Sequence, residues 1–205
     1  MRDADETPSE LSFRLQAPND MVAGVQHELF LSPAWVFATG LRDDPSLWQG
    51  DYLPLCEMAW INAKGENVRF EGPALLCSHG CDTEPERDEF ATIAPAFNLD
   101  DYVRRLAQIE GAEDQGEGWL LQRRTTIRRQ RIAKLFYMPA VNTHPERVVD
   151  FSMASPIHTK RLARVVRDVM DLERLRFTER GYFLFVAKLA HHLAHAERVQ
   201  DYRRR

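Results

Sequence analysis

The sequence predicts an α+β protein: a small, strongly bent sheet or SH3-like barrel that is followed by C-terminal helices. Strand-like apolar segments recur between about residues 50 and 153, with turn-forming residues between them. These segments do not alternate with long crossover helices, as they would in a parallel α/β fold. Helical periodicity then extends from about residue 155 to residue 205.

The composition is that of a folded, cytoplasmic protein. Of the 205 residues, 44% are hydrophobic and 28% are charged, which supports a buried core and excludes a globally disordered chain. No stretch reaches the roughly 18 consecutive apolar residues of a membrane helix. The first residues are acidic and lack the apolar region of a secretory signal. With three cysteines, the chain is therefore expected to carry reduced thiols in the cytoplasm, with no membrane partner.

The N-terminal region is predicted to contribute little regular structure. Residues 1–10 are polar and acidic and are predicted to be a flexible tail. Residues 11–205 are predicted to be a single α+β domain. Within it, residues 32–38 begin with Ser and Pro, a combination that is typical of a helical turn.

Two hairpins and a connecting strand make up the predicted sheet of residues 50–153. Residues 51–62 are mostly apolar, and residues 63–67 are a candidate hairpin turn before the return strand. That return strand ends with the apolar run 73–78, and residues 90–97 form the next strand. Residues 135–139 and 147–153 are predicted to pair as a second hairpin.

One helix interrupts the sheet and two follow it. The residues Asn98, Leu99, Asp100 and Asp101 predict a capped helix that runs to about residue 110. Residues 111–118 are acidic and rich in Gly, and are predicted to be a flexible connector. The helical region of residues 155–205 holds one helix that starts at Ser155 or Thr159 and a second that runs from about residue 178 to 202.

Charge divides the chain into two unlike halves. Residues 1–100 carry 6 Lys and Arg against 18 Asp and Glu, whereas residues 101–205 carry 21 against 13. Such asymmetry suggests an electrostatic partner for the basic half. Nucleic acid is one candidate, and an acidic protein or a second copy of this chain is another. Because the overall charge is only −4, the sequence favours neutralisation within the chain.

A block of arginines is the strongest nucleic-acid signal in the sequence. Five arginines lie within nine positions, enough to contact several phosphates. The alternative is a solvated surface, or an element that docks on the acidic half. The candidate nucleic-acid-binding residues are Arg123, Arg124, Arg128, Arg129 and Arg131.

A second candidate site is the predicted strand end Ser78, His79, Cys81 and Asp82. In an extended chain Cys77, His79 and Cys81 would share one face, and their side chains are suitable zinc ligands. However, one loose Cys pair is not the spacing of a structural zinc site, so no metal and no cofactor are predicted. The acidic surroundings also disfavour a reactive thiolate, which needs a lowered pKa.

Parts of the predicted barrel resemble MazF/PemK-like bacterial toxins. The resemblance covers about 30 residues: Gly50 to Leu55, then Gly65-Glu66, then Gly72 to Ser78. It implies a ribonuclease barrel in which Ser78 matches a small hydroxyl residue. The toxins carry Arg-Pro where this chain has Gly72-Pro73, so the arginine implicated in RNA cleavage is missing at that position.

A second resemblance implies a small barrel in a cytoplasmic bacterial setting, without a known activity. Ser78 to Asp82, followed by Phe136-Tyr137 and by Val148 to Phe151, looks like uncharacterised bacterial barrel proteins, some encoded with defence or mobile genes. Together these observations predict a non-catalytic binding or regulatory protein in a defence, toxin–antitoxin or mobile-element context. Its basic half would contact nucleic acid or an acidic protein. The alternative is a MazF-like ribonuclease or another barrel nuclease.

Overall fold

The computed structural model describes residues 37–39, 46–61, 64–84, 87–141, 144–169 and 175–202. The tail predicted over residues 1–10 lies outside these ranges. The helices are α1 (Leu99–Glu110), α2 (Gly116–Arg128), α3 (Thr159–Val169) and α4 (Glu179–Tyr202). The strands are β1 (Phe37–Thr39), β2 (Tyr52–Ile61), β3 (Asn67–Leu76), β4 (Phe90–Asn98), β5 (Leu135–Met138), β6 (Arg147–Asp150), β7 (Ser155–His158) and β8 (Leu175–Phe177).

Six of the strands form one curved antiparallel sheet. Its order is β2-β3-β4-β6-β5, and β7 pairs with β4 beside β6. The strands β6 and β7 thus follow one edge of β4 in succession, separated by the 3₁₀ turn Phe151–Met153. The remaining strands, β1 and β8, form a separate antiparallel pair. The predicted α+β class, with a bent sheet followed by C-terminal helices, is confirmed.

The curvature begins in the first hairpin. The pairing of β2 with β3 shifts between Leu53 and Cys56, a β-bulge that bends the strand and increases its twist. Beyond the bulge, side chains of β2 alternate between buried and exposed positions, as a strand with one solvent face requires. Gly65 closes the hairpin turn with a φ of +81°, a conformation that favours glycine.

Helices cover both faces of the sheet because its strands alternate buried side chains between the two faces. On one face, α4 and β8 enclose a core that is centred on Phe136 and Phe185. On the other face, α3 packs Leu162 against β2, β3 and β4. The same face meets α1 and α2 at the β5–β6 end, where Val103 and Ile127 are buried.

The inserted helix forms where the sequence predicts it. The side chain of Asn98 accepts hydrogen bonds from the backbone N–H groups of Asp100 and Asp101, so it caps α1. Gly111 ends this helix in the left-handed conformation. The last helix was predicted over 178–202 and spans Glu179–Tyr202, which confirms that prediction as well.

Two local predictions were wrong, and a third offered two helix starts of which the structure confirms one. Gly116 begins α2 although residues 111–118 were predicted to be a connector, since Trp119 and Ile127 pack against the sheet and offset the poor helix propensity of glycine. Residues 37 and 38 lie in β1 rather than in a helical turn, because β8 provides a partner strand. Residues 155–158 form β7, so α3 begins at Thr159, the later of the two predicted starts.

In the part of the chain that the structure describes, no helix combines the length and the apolar character that crossing a membrane requires.

Candidate functional site

The arginine block lies on α2 and just after it, and three of its guanidinium groups bind carboxylates of this chain. Arg123 pairs with Glu110. The Nε atom of Arg124 lies 2.6 Å from Oδ1 of Asp100. These contacts attach α2 to α1, which carries both carboxylates.

Arg128 is held more tightly still. Its Nε and Nη2 atoms donate to the two carboxylate oxygens of Glu146 over 3.0 and 2.6 Å, and the Tyr137 hydroxyl donates to the same carboxylate. Burial alone would raise the pKa of Glu146, but the hydrogen bonds from Arg128 and Tyr137 outweigh it and lower that pKa. Glu146 therefore stays ionised and joins α2 to the β5–β6 hairpin.

The basic block is thus largely neutralised within the chain, as the sequence favoured, but by unexpected partners. Among the ion pairs that the structure describes for Arg123, Arg124 and Arg128, the carboxylate of Asp100 comes from the acidic first half, whereas those of Glu110, Glu117 and Glu146 come from the basic half. The halves do not simply meet. Arg123, Arg124 and Arg128 instead contact the carboxylates that the local packing brings near.

The last two arginines of the block leave the helix. Arg129 follows the final residue of α2, and Gln130 then adopts a φ of +53° that turns the chain away. Both Arg129 and Arg131 are exposed. The five predicted residues therefore do not form one continuous basic face.

The second predicted site has a structural role at Ser78. The Ser78 hydroxyl accepts a hydrogen bond from the Thr92 backbone N–H over 2.8 Å, and Ser78 N donates to Thr92 O. These bonds continue the pairing of β3 with β4. Burial raises the pKa of the neighbouring Cys77 thiol to about 12, so this thiol is not a nucleophile at neutral pH.

An alignment of Cys77, His79 and Cys81 on one face would require an extended chain beyond Ser78. The chain turns there instead. Residues Gly80–Thr83 form a 3₁₀ turn, and the Asp82 backbone N–H donates to His79 O across it. The structure does not describe the side chain of Cys81. Among the described residues, no group of three or more His, Cys, Asp or Glu side chains is arranged to hold a metal ion.

A groove of about 570 Å³ lies where the start of α3 meets the first hairpin. Three basic side chains from the first turns of α3 line it: Lys160, Arg161 and Arg164. The opposite wall holds two acidic side chains, Glu57 of β2 and Glu71 of β3, which are register partners. The groove therefore places a basic wall against an acidic one.

The charges on the two walls of the groove do not fully neutralise each other. Arg161 pairs with Glu57. Lys160 and Arg164 make no ion pair with any described residue, and neither does Arg167 one helical turn beyond Arg164. All three of these side chains are exposed. We call Lys160, Arg164 and Arg167 the α3 basic face.

The sequence produces this face through the amphipathic pattern of α3. Leu162 is fully buried, and Val165 and Val166 pack against the same core. Positions 160, 164 and 167 are spaced by four and three residues, so their side chains share one side of the helix. Sequence reasoning missed them because it weighed only the denser arginine block, although the spacing was available within a predicted helix.

Apolar and aromatic groups complete the groove. Leu55, which is 52% exposed, and Val165 line it together with His158. The ring of His158 lies 5.5 Å from that of Phe90, its partner across the β4–β7 pair, and Phe90 is 53% exposed. A large exposed aromatic ring thus lies beside a partly basic groove.

A buried lysine is the most perturbed cation that the structure describes. Lys188 of α4 is 2% exposed, and its Nζ atom donates to Gln130 O over 2.7 Å and to Ile132 O over 2.6 Å. Burial lowers its pKa from 10.5 to about 8. Its two carbonyl partners follow the end of α2, so the Lys188 ammonium group binds this turn to α4.

Between pH 8 and pH 10, Lys188 is expected to add about 2 kcal/mol to the free energy of unfolding of the wild type relative to the variant Lys188→Met. In the unfolded chain Lys188 keeps its usual pKa of 10.5 and binds a proton in this interval, while the folded protein releases it above about pH 8. Stability from this group is therefore present at high pH and is lost as pH falls through 8. Urea unfolding at several pH values measures the slope.

The variant Lys188→Met is the control for this rise, since it removes the titrating amine. Its stability should fall over the same interval, because burial raises the pKa of the Cys56 and Cys77 thiols from 9.0 to about 12, so they ionise there only in the unfolded chain. Burial likewise raises the pKa of Tyr52, Tyr102 and Tyr137, which lowers the stability of both proteins equally near pH 10. An identical pH dependence in wild type and variant would contradict the assignment to Lys188.

Comparisons of the chain with known protein families, with curated proteins and with solved structures found no match.

Proposed function

We propose that the protein is a non-catalytic binding protein whose α3 basic face contacts the phosphate backbone of nucleic acid. The observation that carries this proposal is the contrast between the two basic segments. The arginines of α2 are engaged by carboxylates, whereas Lys160, Arg164 and Arg167 are exposed and pair with no described residue. Only such uncommitted cations add to phosphate binding without first breaking an internal ion pair.

The dimensions of the face suit this partner. From position 160 to position 167 a helix rises by about 10 Å. Successive phosphates of one strand of a duplex rise by roughly 3.4 Å along the helix axis, so a face of this length spans several of them when it lies along that axis. Long Lys and Arg side chains reach phosphates by adjusting their rotamers, which makes such contacts tolerant of sequence.

Catalysis is not proposed, because the residues that would support the ribonuclease alternative have other partners. The Ser78 hydroxyl accepts a hydrogen bond from Thr92 N, and the Arg128 guanidinium binds both oxygens of Glu146. An RNA cleavage assay tests this point directly. Metal-independent cleavage of a single strand that is lost in Ser78→Ala would replace our proposal with the ribonuclease alternative.

The double variant Lys160→Gln/Arg164→Gln is expected to weaken nucleic-acid binding about tenfold at 0.1 M salt. Each lost cation releases about one counterion fewer, so the dependence of log affinity on log salt should also become shallower by about 1 to 2. Fluorescence anisotropy with labelled oligonucleotides of 20 nucleotides, titrated at several salt concentrations, measures both quantities.

The matched control is Arg104→Gln/Arg105→Gln, which removes the same charge from exposed positions of α1. It should bind like the wild type. If both double variants bound nucleic acid equally weakly, only the net charge would matter, and the proposal that the α3 basic face is the binding surface would be wrong. If the wild type binds an acidic peptide but no oligonucleotide, the partner is an acidic protein and the proposal is wrong.

A further inference from the structure

We infer that the groove beside the α3 basic face takes a single unpaired nucleobase that carries an exocyclic amino group, namely cytosine, adenine or guanine. This inference rests on the proposed function, because phosphate contacts at Lys160 and Arg164 bring the strand to the groove. It adds what those contacts do not supply, which is a distinction between bases. The argument depends on three features of the groove.

The first feature is its size and its mixed lining. A volume of about 570 Å³ lies in the usual range for pockets that bind small organic groups. Leu55 and Val165 supply apolar surface, while the basic side chains lie along the α3 wall. A nucleotide has the same division, with an apolar base face and a charged phosphate.

The second feature is Phe90. An exposed phenylalanine is unfavourable in water, and 53% of Phe90 is exposed next to His158, which lines the groove. Unpaired bases stack on exposed aromatic rings in many proteins that bind single strands, and each stack contributes substantially to affinity. A base in a duplex cannot stack in this way, because its faces are already covered. The groove therefore favours a single strand.

The third feature is Glu71. It is exposed, lines the groove and makes no hydrogen bond or ion pair with a described residue, whereas its register partner Glu57 is bound by Arg161. A carboxylate only accepts hydrogen bonds, and the exocyclic amino group of cytosine donates one. Thymine and uracil present a carbonyl oxygen at the equivalent position, which a carboxylate repels. Glu71 therefore discriminates against them.

The test compares labelled oligo(dC) and oligo(dT) of 12 nucleotides by fluorescence anisotropy at 0.1 M salt, since the two bases have similar size. Wild type is expected to bind oligo(dC) about tenfold more tightly. In Glu71→Gln the ratio should fall towards 1, because a glutamine amide both accepts and donates hydrogen bonds. Affinity for oligo(dT) should not fall in this variant. In Phe90→Ala, both affinities should fall about tenfold.

Glu113→Gln is the matched control, because it removes an exposed carboxylate from the 3₁₀ turn before α2. It should keep the wild-type ratio. Thermal melts of each variant establish that it is folded. Equal binding of the two oligonucleotides by wild type, still weakened in Lys160→Gln/Arg164→Gln, would overturn this inference and leave the proposed function standing. Absence of binding to every oligonucleotide would overturn both.

Discussion

Replacing Phe185 with alanine is expected to lower the free energy of unfolding by about 4 kcal/mol. Phe185 is fully buried where α4 meets the sheet. Its ring lies 5.6 Å from that of Phe136, 5.9 Å from that of Phe151 and 5.3 Å from that of Phe177. The truncation leaves a cavity among side chains from β5, β8 and the turn after β6, which rigid neighbours cannot close.

Phe183 provides the matched control two residues away on the same helix. It is 63% exposed, so Phe183→Ala should change the free energy of unfolding by no more than about 0.5 kcal/mol. Chemical denaturation followed by circular dichroism measures both variants. If both lost similar stability, the orientation of α4 would be wrong.

The second large effect is expected when Arg123, Arg124, Arg128 and Arg129 are all replaced by glutamine. We expect a loss of about 3 kcal/mol and a melting temperature lower by about 10 °C, without a loss of nucleic-acid binding. Most of the loss comes from Arg128, because its removal leaves the Glu146 carboxylate without its bidentate partner, although the Tyr137 hydroxyl still donates to that carboxylate. Arg124, whose side chain is only 16% exposed, contributes much of the remainder.

The double variant Lys160→Gln/Arg164→Gln is the natural comparison for this experiment. It should show the opposite pattern, with an unchanged melting temperature and weakened binding, because these side chains are exposed and pair with no described residue. If the folded fraction of the quadruple variant no longer bound oligonucleotides, the arginine block would be the nucleic-acid-binding segment, as the sequence predicts. Differential scanning fluorimetry and the anisotropy assay decide between the two.

The elements that sequence reasoning predicted correctly are those with local signals. Asn98 caps α1 and Gly111 ends it through contacts within a few residues, so the helix could be recognised without any knowledge of its neighbours. The hairpins β2–β3 and β5–β6 follow for the same reason, since each joins strands that are close in sequence.

The elements that were missed depend on distant partners. Gly116 joins α2 because Trp119 and Ile127 find a surface to pack on, and β1 is a strand because β8 lies beside it some 140 residues later in the chain. Pairing of β4 with both β6 and β7 likewise joins segments about 50 to 70 residues apart. No local pattern specifies these pairings.

For the candidate site, the sequence by itself determined the charge division and the places where basic residues concentrate. Only the tertiary structure decided which of those residues are available to a partner. Charge depends on residue type alone, but the free energy of an ion pair depends on the distance and burial of both groups. Packing placed Glu110 and Glu146 beside the arginines of α2, so this dense basic segment has a structural role. It left Lys160 and Arg164 beside an exposed groove, so the α3 basic face is the candidate binding surface although it holds fewer basic residues.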